Sequence, residues 1–266
     1  MIRSASVWTA VAFSLFSSAM AHAQQPDTPP TDEPPLPPLS RECQTPGVTI
    51  SGEALHNVTN ALRLRNVIKI LAIGASSMAG KGAMDGGYQS IIETVLEKTI
   101  PGTDVQIIDR GISGELAHDA AQRMKNEVAL VNPDLVLWQL GTHDALTHVP
   151  VEQFKTNVGE AIDWLKEHNV DVVLVGLHYL RKFVRDPHYQ AIRAALRATA
   201  EDRKVLVIGR YEASQVIEQA RKAGVGPSPN EFTMTAAGYA CLSEYVVRAL
   251  TSGTFARQPR LGPPKR

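Results

Sequence analysis

Five short apolar runs, spaced along the chain and separated by stretches of helical periodicity, leave few folds open to this sequence. Val67 to Ile73 ends at Gly74, Val105 to Ile108 at Asp109, and Leu135 to Leu140 at Gly141. Val170 to Leu177 is nearly continuous apolar sequence, and Lys204 to Ile208 ends at Gly209. The runs are too apolar for strands with one wet face, so they predict a sheet buried on both sides. Between them, Tyr88 to Lys98 places Ile91, Ile92, Val95 and Leu96 on one helical face. Val151 to His168 does so with Phe154, Val158, Ile162 and Leu165, and Tyr189–Ala200, Tyr211–Ala223 and Thr235–Leu250 keep the same period. Strand and helix in alternation predict a parallel, doubly wound α/β sheet in one domain. Ligands of such sheets bind beyond the carboxyl ends of the strands, so the residues that follow each run carry the chemistry.

After the first run stands Gly74-Ala75-Ser76-Ser77-Met78-Ala79-Gly80, after the second Asp109-Arg110-Gly111-Ile112-Ser113-Gly114-Glu115, and after the third Gly141-Thr142-His143-Asp144. A serine in a glycine turn before a helix is placed to be a nucleophile beside an anion site, although a Gly/Ser turn that caps a helix has the same look. A glycine opening a helix can aim its amide at a developing oxyanion.

Together the three blocks resemble the SGNH hydrolases, the GDSL-type esterases and lipases, over roughly residues 67–250. The resemblance implies a flavodoxin-like, doubly wound parallel sheet of five strands. It also implies Ser76 at the nucleophile position, Gly114 as the oxyanion glycine, and His143 at the position of the oxyanion-hole asparagine. Asp144 falls where the family keeps a structural aspartate. The family's last block is Asp-x-x-His before a Gly-Tyr helix; anchored on Gly238-Tyr239-Ala240, it puts Asn230 at the aspartate and Thr233 at the histidine.

These departures decide the chemistry. Asn230 has no charge to stabilise an imidazolium, Thr233 cannot accept a proton near neutral pH, and the last histidine in the chain is His188. Losing the serine or histidine of a serine-hydrolase triad costs roughly 10⁶ in turnover, while roughly 10³ to 10⁴ over water can persist from binding and oxyanion donors. The expectation is a retained pocket for an acylated or glycan-type ligand with damaged proton transfer. The alternative is an active ester hydrolase that uses Ser76 with His143 or His178 as substitute base, since an imidazole both donates and accepts. His118, at the start of the second helix, could also point toward the cleft. A third reading, from another class, is a non-catalytic scaffold in an envelope assembly.

Other features read more plainly. His143 and His148 flank Asp144, but no third ligand has a recognisable spacing, so no metal and no cofactor are expected. Glu231 is one position from Asn230, which does not guarantee the same direction. Trp138 reads as core, and Arg181, Lys182 and Arg185 as a solvated basic loop.

At the N-terminus, Arg3 is followed by apolar residues from Val7 to Phe16 and then Ala21-His22-Ala23. The pattern predicts a secretory signal over residues 1–23, cleaved after Ala23, against the alternative of an uncleaved anchor. Residues 26–39 hold seven prolines, so 24–42 is expected to be an extended tether, 43–252 the folded domain and 253–266 a tail. Export means oxidising conditions, and the two cysteines, Cys43 and Cys241, are expected to pair with each other rather than stay as buried thiols. Lys+Arg and Asp+Glu are both 27, which argues against nucleic acid or an anionic membrane as a partner held by bulk charge. Beyond the N-terminus no apolar stretch is long enough for a membrane span.

Overall fold

The apolar runs pair as the strands of one all-parallel sheet in the computed structural model, which describes residues 37–44, 54–74, 87–215 and 236–255. The strands are β1 (Val67–Gly74), β2 (Asp104–Gly111), β3 (Leu135–Gln139), β4 (Asp171–Val175) and β5 (Leu206–Ile208). Their order is β2-β1-β3-β4-β5, the flavodoxin-like arrangement, with the reversal of winding between β1 and β3. All described residues fall within one compact unit, Pro34–Arg266.

Side chains alternate along each strand, and that alternation builds two cores. Ile68, Ile70 and Ala72 of β1, Leu135 and Leu137 of β3, and Val173 and Val175 of β4 face one layer. Leu71, Ile73, Val136, Trp138, Val172 and Leu174 face the other. Helices α1 (His56–Arg65), α2 (Gly87–Thr99) and α8 (Ala236–Thr254) cover the first face. Helices α3 (Ala117–Val131), α5 (Val151–Glu167) and α6 (Pro187–Asp202) cover the second. Trp138, fully buried, is core as the sequence suggests. Each large apolar side chain so buried contributes about 1.5–3 kcal/mol.

Several elements differ from the sequence expectation. β2 runs to Gly111 because it pairs with the whole of β1, from Val67↔Asp104 to Gly74↔Gly111. As an edge strand it tolerates Asp109 and Arg110, whose polarity suggested an earlier end. Helix α1 carries only Val58 and Ala61 as buried residues, too few for a visible period. It is fixed instead from a distance: the Asp171 carboxylate accepts the amides of Asn57 and Val58 at 2.8 and 3.0 Å. Thr142–Leu146, read as loop, forms the short helix α4. The helix expected from Tyr211 (α7) is present from residue 210 and described through 215; the rest of it lies outside the described residues.

The N-terminal segment 37–44 lies along α8. Cys43 is disulfide-bonded to Cys241 with Cα atoms 5.2 Å apart, as expected from the cysteine count. The Ser40 amide donates to Glu244 at 2.8 Å and Arg248 donates to the Pro37 carbonyl at 2.9 Å. Among the described residues no helix is long and apolar enough to cross a membrane.

Candidate active site

Strand register brings the expected blocks to one edge. Gly74 pairs with Gly111 on one side and Gln139 on the other, Gln139 with Val175, and Val175 with Ile208, so the strands end nearly in line. At Gly74 (φ 109°) only glycine fits, because a Cβ would stand 1.9 Å from the Gln139 carbonyl oxygen. Ser76, Asn230 and Thr233 follow this edge in the sequence but lie outside the described residues.

Gly114 and His143 are brought together. A Cβ built on Gly114 (φ 78°) would lie 3.9 Å from His143 Cε1, so the imidazole stands against the glycine that the resemblance assigns to the oxyanion hole. What fixes His143 is its two neighbours. On one side Asp144, 1% exposed, accepts the Ala117 amide at 2.9 Å and the Gly141 amide at 3.2 Å. Its carboxylate therefore ties α4 to the first turn of α3, the helix that Gly114 leads into. On the other side Thr142, buried, accepts the His178 backbone amide at 2.9 Å through its hydroxyl. Burial raises Asp144 above the ordinary carboxylate range against the pull of the amides it accepts. Both oxygens of that carboxylate accept backbone amides, one from Ala117 and one from Gly141.

The surroundings of the His143 imidazole disfavour its protonated form. Burial pushes it below the ordinary range and Arg210 adds to the effect, while Asp144 pulls the other way. Arg210 is a site residue the sequence reading passed over. It is 3% exposed and acts electrostatically on His143, Tyr189 and Tyr239 alike. The signal was available: Arg210 follows Gly209 at the end of the fifth run, where the rule of strand ends says to look.

The other histidines are elsewhere. His178 is buried at the end of β4, and its Nδ1 meets the Ser214 hydroxyl at 3.3 Å, toward α7 on the far side of β4 from β1. His118 is exposed on α3 and lines a surface cleft with Gln122, Lys125 and Trp164, between α3 and α5. His148 faces the ring of His188, centroids 4.9 Å apart. Among the described residues no three His, Cys, Asp or Glu are grouped to hold a metal ion. Arg181 and Lys182 are exposed on a 3-10 turn, Arg181–Phe183, with Arg185 exposed just beyond.

Residues 42–255 match the non-GDSL lipase-like family. The chain belongs to that family. It is thus a member of the SGNH/GDSL-type hydrolase superfamily, as the three sequence blocks suggested. Over 126 residues it is 27% identical to an arylesterase from Vibrio mimicus, a match that covers 43% of this chain and 63% of the arylesterase's length. Solved structures share the fold at low identity. An acetylxylan esterase from Geobacillus stearothermophilus superposes with TM-score 0.58 at 18% identity, covering 69% of this chain and 94% of its own. TesA does so with TM-score 0.57 at 20% identity, covering 68% and 97%.

Proposed function

We propose that this family member keeps the ligand-binding edge of an SGNH esterase but has lost the proton relay, so that it binds acyl-ester or acylated-glycan ligands and hydrolyses them poorly or not at all. The observation that carries the reading is the His143 imidazole set against Gly114, where burial disfavours its protonated form. A neutral imidazole in that position is a hydrogen-bond donor to a ligand carbonyl oxygen, the task of the asparagine it replaces. It is a disfavoured base for Ser76, because burial, with Arg210 adding to it, disfavours the imidazolium that proton transfer would create by more than the Asp144 charge favours it. The positions that the resemblance gives to the acid and base supply no acceptor, since they hold Asn230 and Thr233. The ester class of the ligand follows from the arylesterase and acetylxylan esterase likeness.

If a substitute base does operate, His143 is favoured over His178. It follows β3, which pairs with β1 and so with the strand that leads to Ser76, whereas the His178 ring is engaged with Ser214 toward β5. The Cys43–Cys241 disulfide supports an oxidising compartment, in keeping with a leader over 1–23. Of the expected tether and tail, 37–42 lies along α8 and 253–254 ends that helix, so the folded domain is wider than 43–252.

The test is turnover of p-nitrophenyl acetate by the mature protein, with His143→Ala and Ser76→Ala beside it. The proposal requires a rate no higher than buffer in the wild type, or a weak rate that the His143 variant lowers only by the factor of one oxyanion donor, about 10² to 10³. Efficient turnover lost in both variants would identify an active Ser76–His143 hydrolase and overturn the proposal.

A further inference from the structure

Two hydroxyls meet at the His178 backbone. The His178 backbone amide donates to Thr142 Oγ1 at 2.9 Å, and the buried Tyr189 phenol donates to the His178 carbonyl. Both backbone polar groups of one residue are thus engaged by side chains. The three residues come from three different elements: Thr142 opens α4 after β3, His178 follows β4, and Tyr189 reaches in from α6.

Tyr189 is itself fixed before it reaches the His178 carbonyl. It has no exposed surface, its backbone amide donates to the α6 N-cap, Asp186, at 2.7 Å, and its ring packs against Phe183 with centroids 5.7 Å apart. Pro187 at the first helical position presets the turn. A rigid phenol thus stands behind Thr142. The residue after Thr142 is His143, and the one after that is Asp144, held by the amides of Ala117 and Gly141.

We propose that Tyr189 and Thr142 are positioning residues for His143: together they hold the His178 backbone and so pin one side of the turn, Asp144 pins the other, and the imidazole between them is set against Gly114. The inference rests on the reading of the Gly114–His143 edge as the ligand site. It adds that α6 and the loop after β4 help to set the site's geometry. Buried polar contacts of this kind specify one arrangement where an apolar contact would permit several.

The experiment is a histidine NMR titration of the unliganded, full-length mature protein, following the His143 ring resonances through pH in the wild type, Tyr189→Phe, Thr142→Val and Thr142→Ser. His143 is flanked by Asp144, Arg210 and the α3 start, all unchanged in these variants. Tyr189→Phe and Thr142→Val are expected to move the His143 midpoint upward, toward an ordinary imidazole, as the ring swings out of its buried position. Thr142→Ser, which keeps the hydroxyl, restores the wild-type curve, and the resonances of exposed His118 and His168 stay where they were. A His143 curve identical in all four folded proteins, with only thermal stability lowered, would reduce the two contacts on the His178 backbone to a structural brace and overturn the proposal. If Tyr189→Phe and Thr142→Val do not fold, the wild type decides: the Thr142 and Tyr189 hydroxyl protons must be protected from solvent exchange, and their rapid exchange would overturn it equally. Because nothing here depends on turnover, an active enzyme would defeat the proposed function without touching this result.

Discussion

The Asp144 carboxylate accepts the Ala117 amide at 2.9 Å across 27 positions of sequence, and so ties the turn that carries His143 to the helix that Gly114 leads into. The amides of Ala117 and Gly141 are both buried at that carboxylate. Asp144→Ala should therefore destabilise the fold by about 1–3 kcal/mol for each amide left without a partner, and Asp144→Asn by less, since one carbonyl oxygen remains. Urea denaturation of the two variants checks this. Equal stability of Asp144→Ala and wild type would mean that the amides find other partners.

Opposite pH dependences are expected from the two neighbours. Asp144 is raised by burial, so its contribution to stability is fully present below the unfolded carboxylate value and is lost as pH rises through the higher native value. Asp171, raised for the same reason, acts in the same direction. His143 is lowered, so its contribution is present above the unfolded imidazole value and is lost as pH falls through the lower native one. His143→Asn should flatten the acid-side decline of the denaturation midpoint just below neutrality. Asp144→Asn should remove part of the decline seen on raising pH above the ordinary carboxylate range. Midpoints followed across pH that keep the wild-type slopes would contradict these assignments.

The Cys43–Cys241 bond closes a loop of 198 positions. On the chain-entropy account its loss costs about 5 kcal/mol, less any native strain it relieves. Cys43→Ser with Cys241→Ser should lower the melting temperature markedly and free segment 37–44 from α8, seen as faster amide exchange at Ser40 and Cys43. Unchanged melting would show that the contacts of Ser40 and Pro37 with α8 suffice alone.

Much of this was legible from residue order, and the exceptions have physical causes. The strands that lie inside the sheet announced themselves because both their faces are apolar, as in Leu135–Gln139. The edge strand β2 ran on into Asp109 and Arg110, where pairing with β1 rather than burial sets the length. Helix α1 was silent because its first turn is capped by Asp171 from another strand, a partner no local pattern reveals. Within the site, Gly114 and His143 were readable because each follows a strand in a block of known spacing. Tyr189 was seen only as part of a helical period, since its role depends on Thr142 and His178 lying beside it in space. Arg210 sat in plain view after Gly209, but one arginine after a short strand is an ordinary surface pattern until its burial is known.

Reinstating the relay is a gain-of-function test. Asn230→Asp combined with Thr233→His restores the acid and base types at the family positions. If those positions are where proton transfer was lost, the double variant should hydrolyse p-nitrophenyl acetate about 10² to 10⁴ times faster than wild type, the usual yield of a positioned general base. Neither single change should do so, because the histidine needs its orienting carboxylate. A double variant as slow as wild type would place the deficit elsewhere.

The most direct measurement is intact-mass analysis of the mature protein after exposure to a fluorophosphonate, which bonds only to a serine whose proton is being removed. With Asn230 and Thr233 at the positions that the resemblance gives to the relay, and His143 set against Gly114 where burial disfavours its protonation, the mass is expected to remain that of the unmodified chain. A stoichiometric adduct on Ser76, abolished by Ser76→Ala, would show a working nucleophile and contradict the loss of the relay.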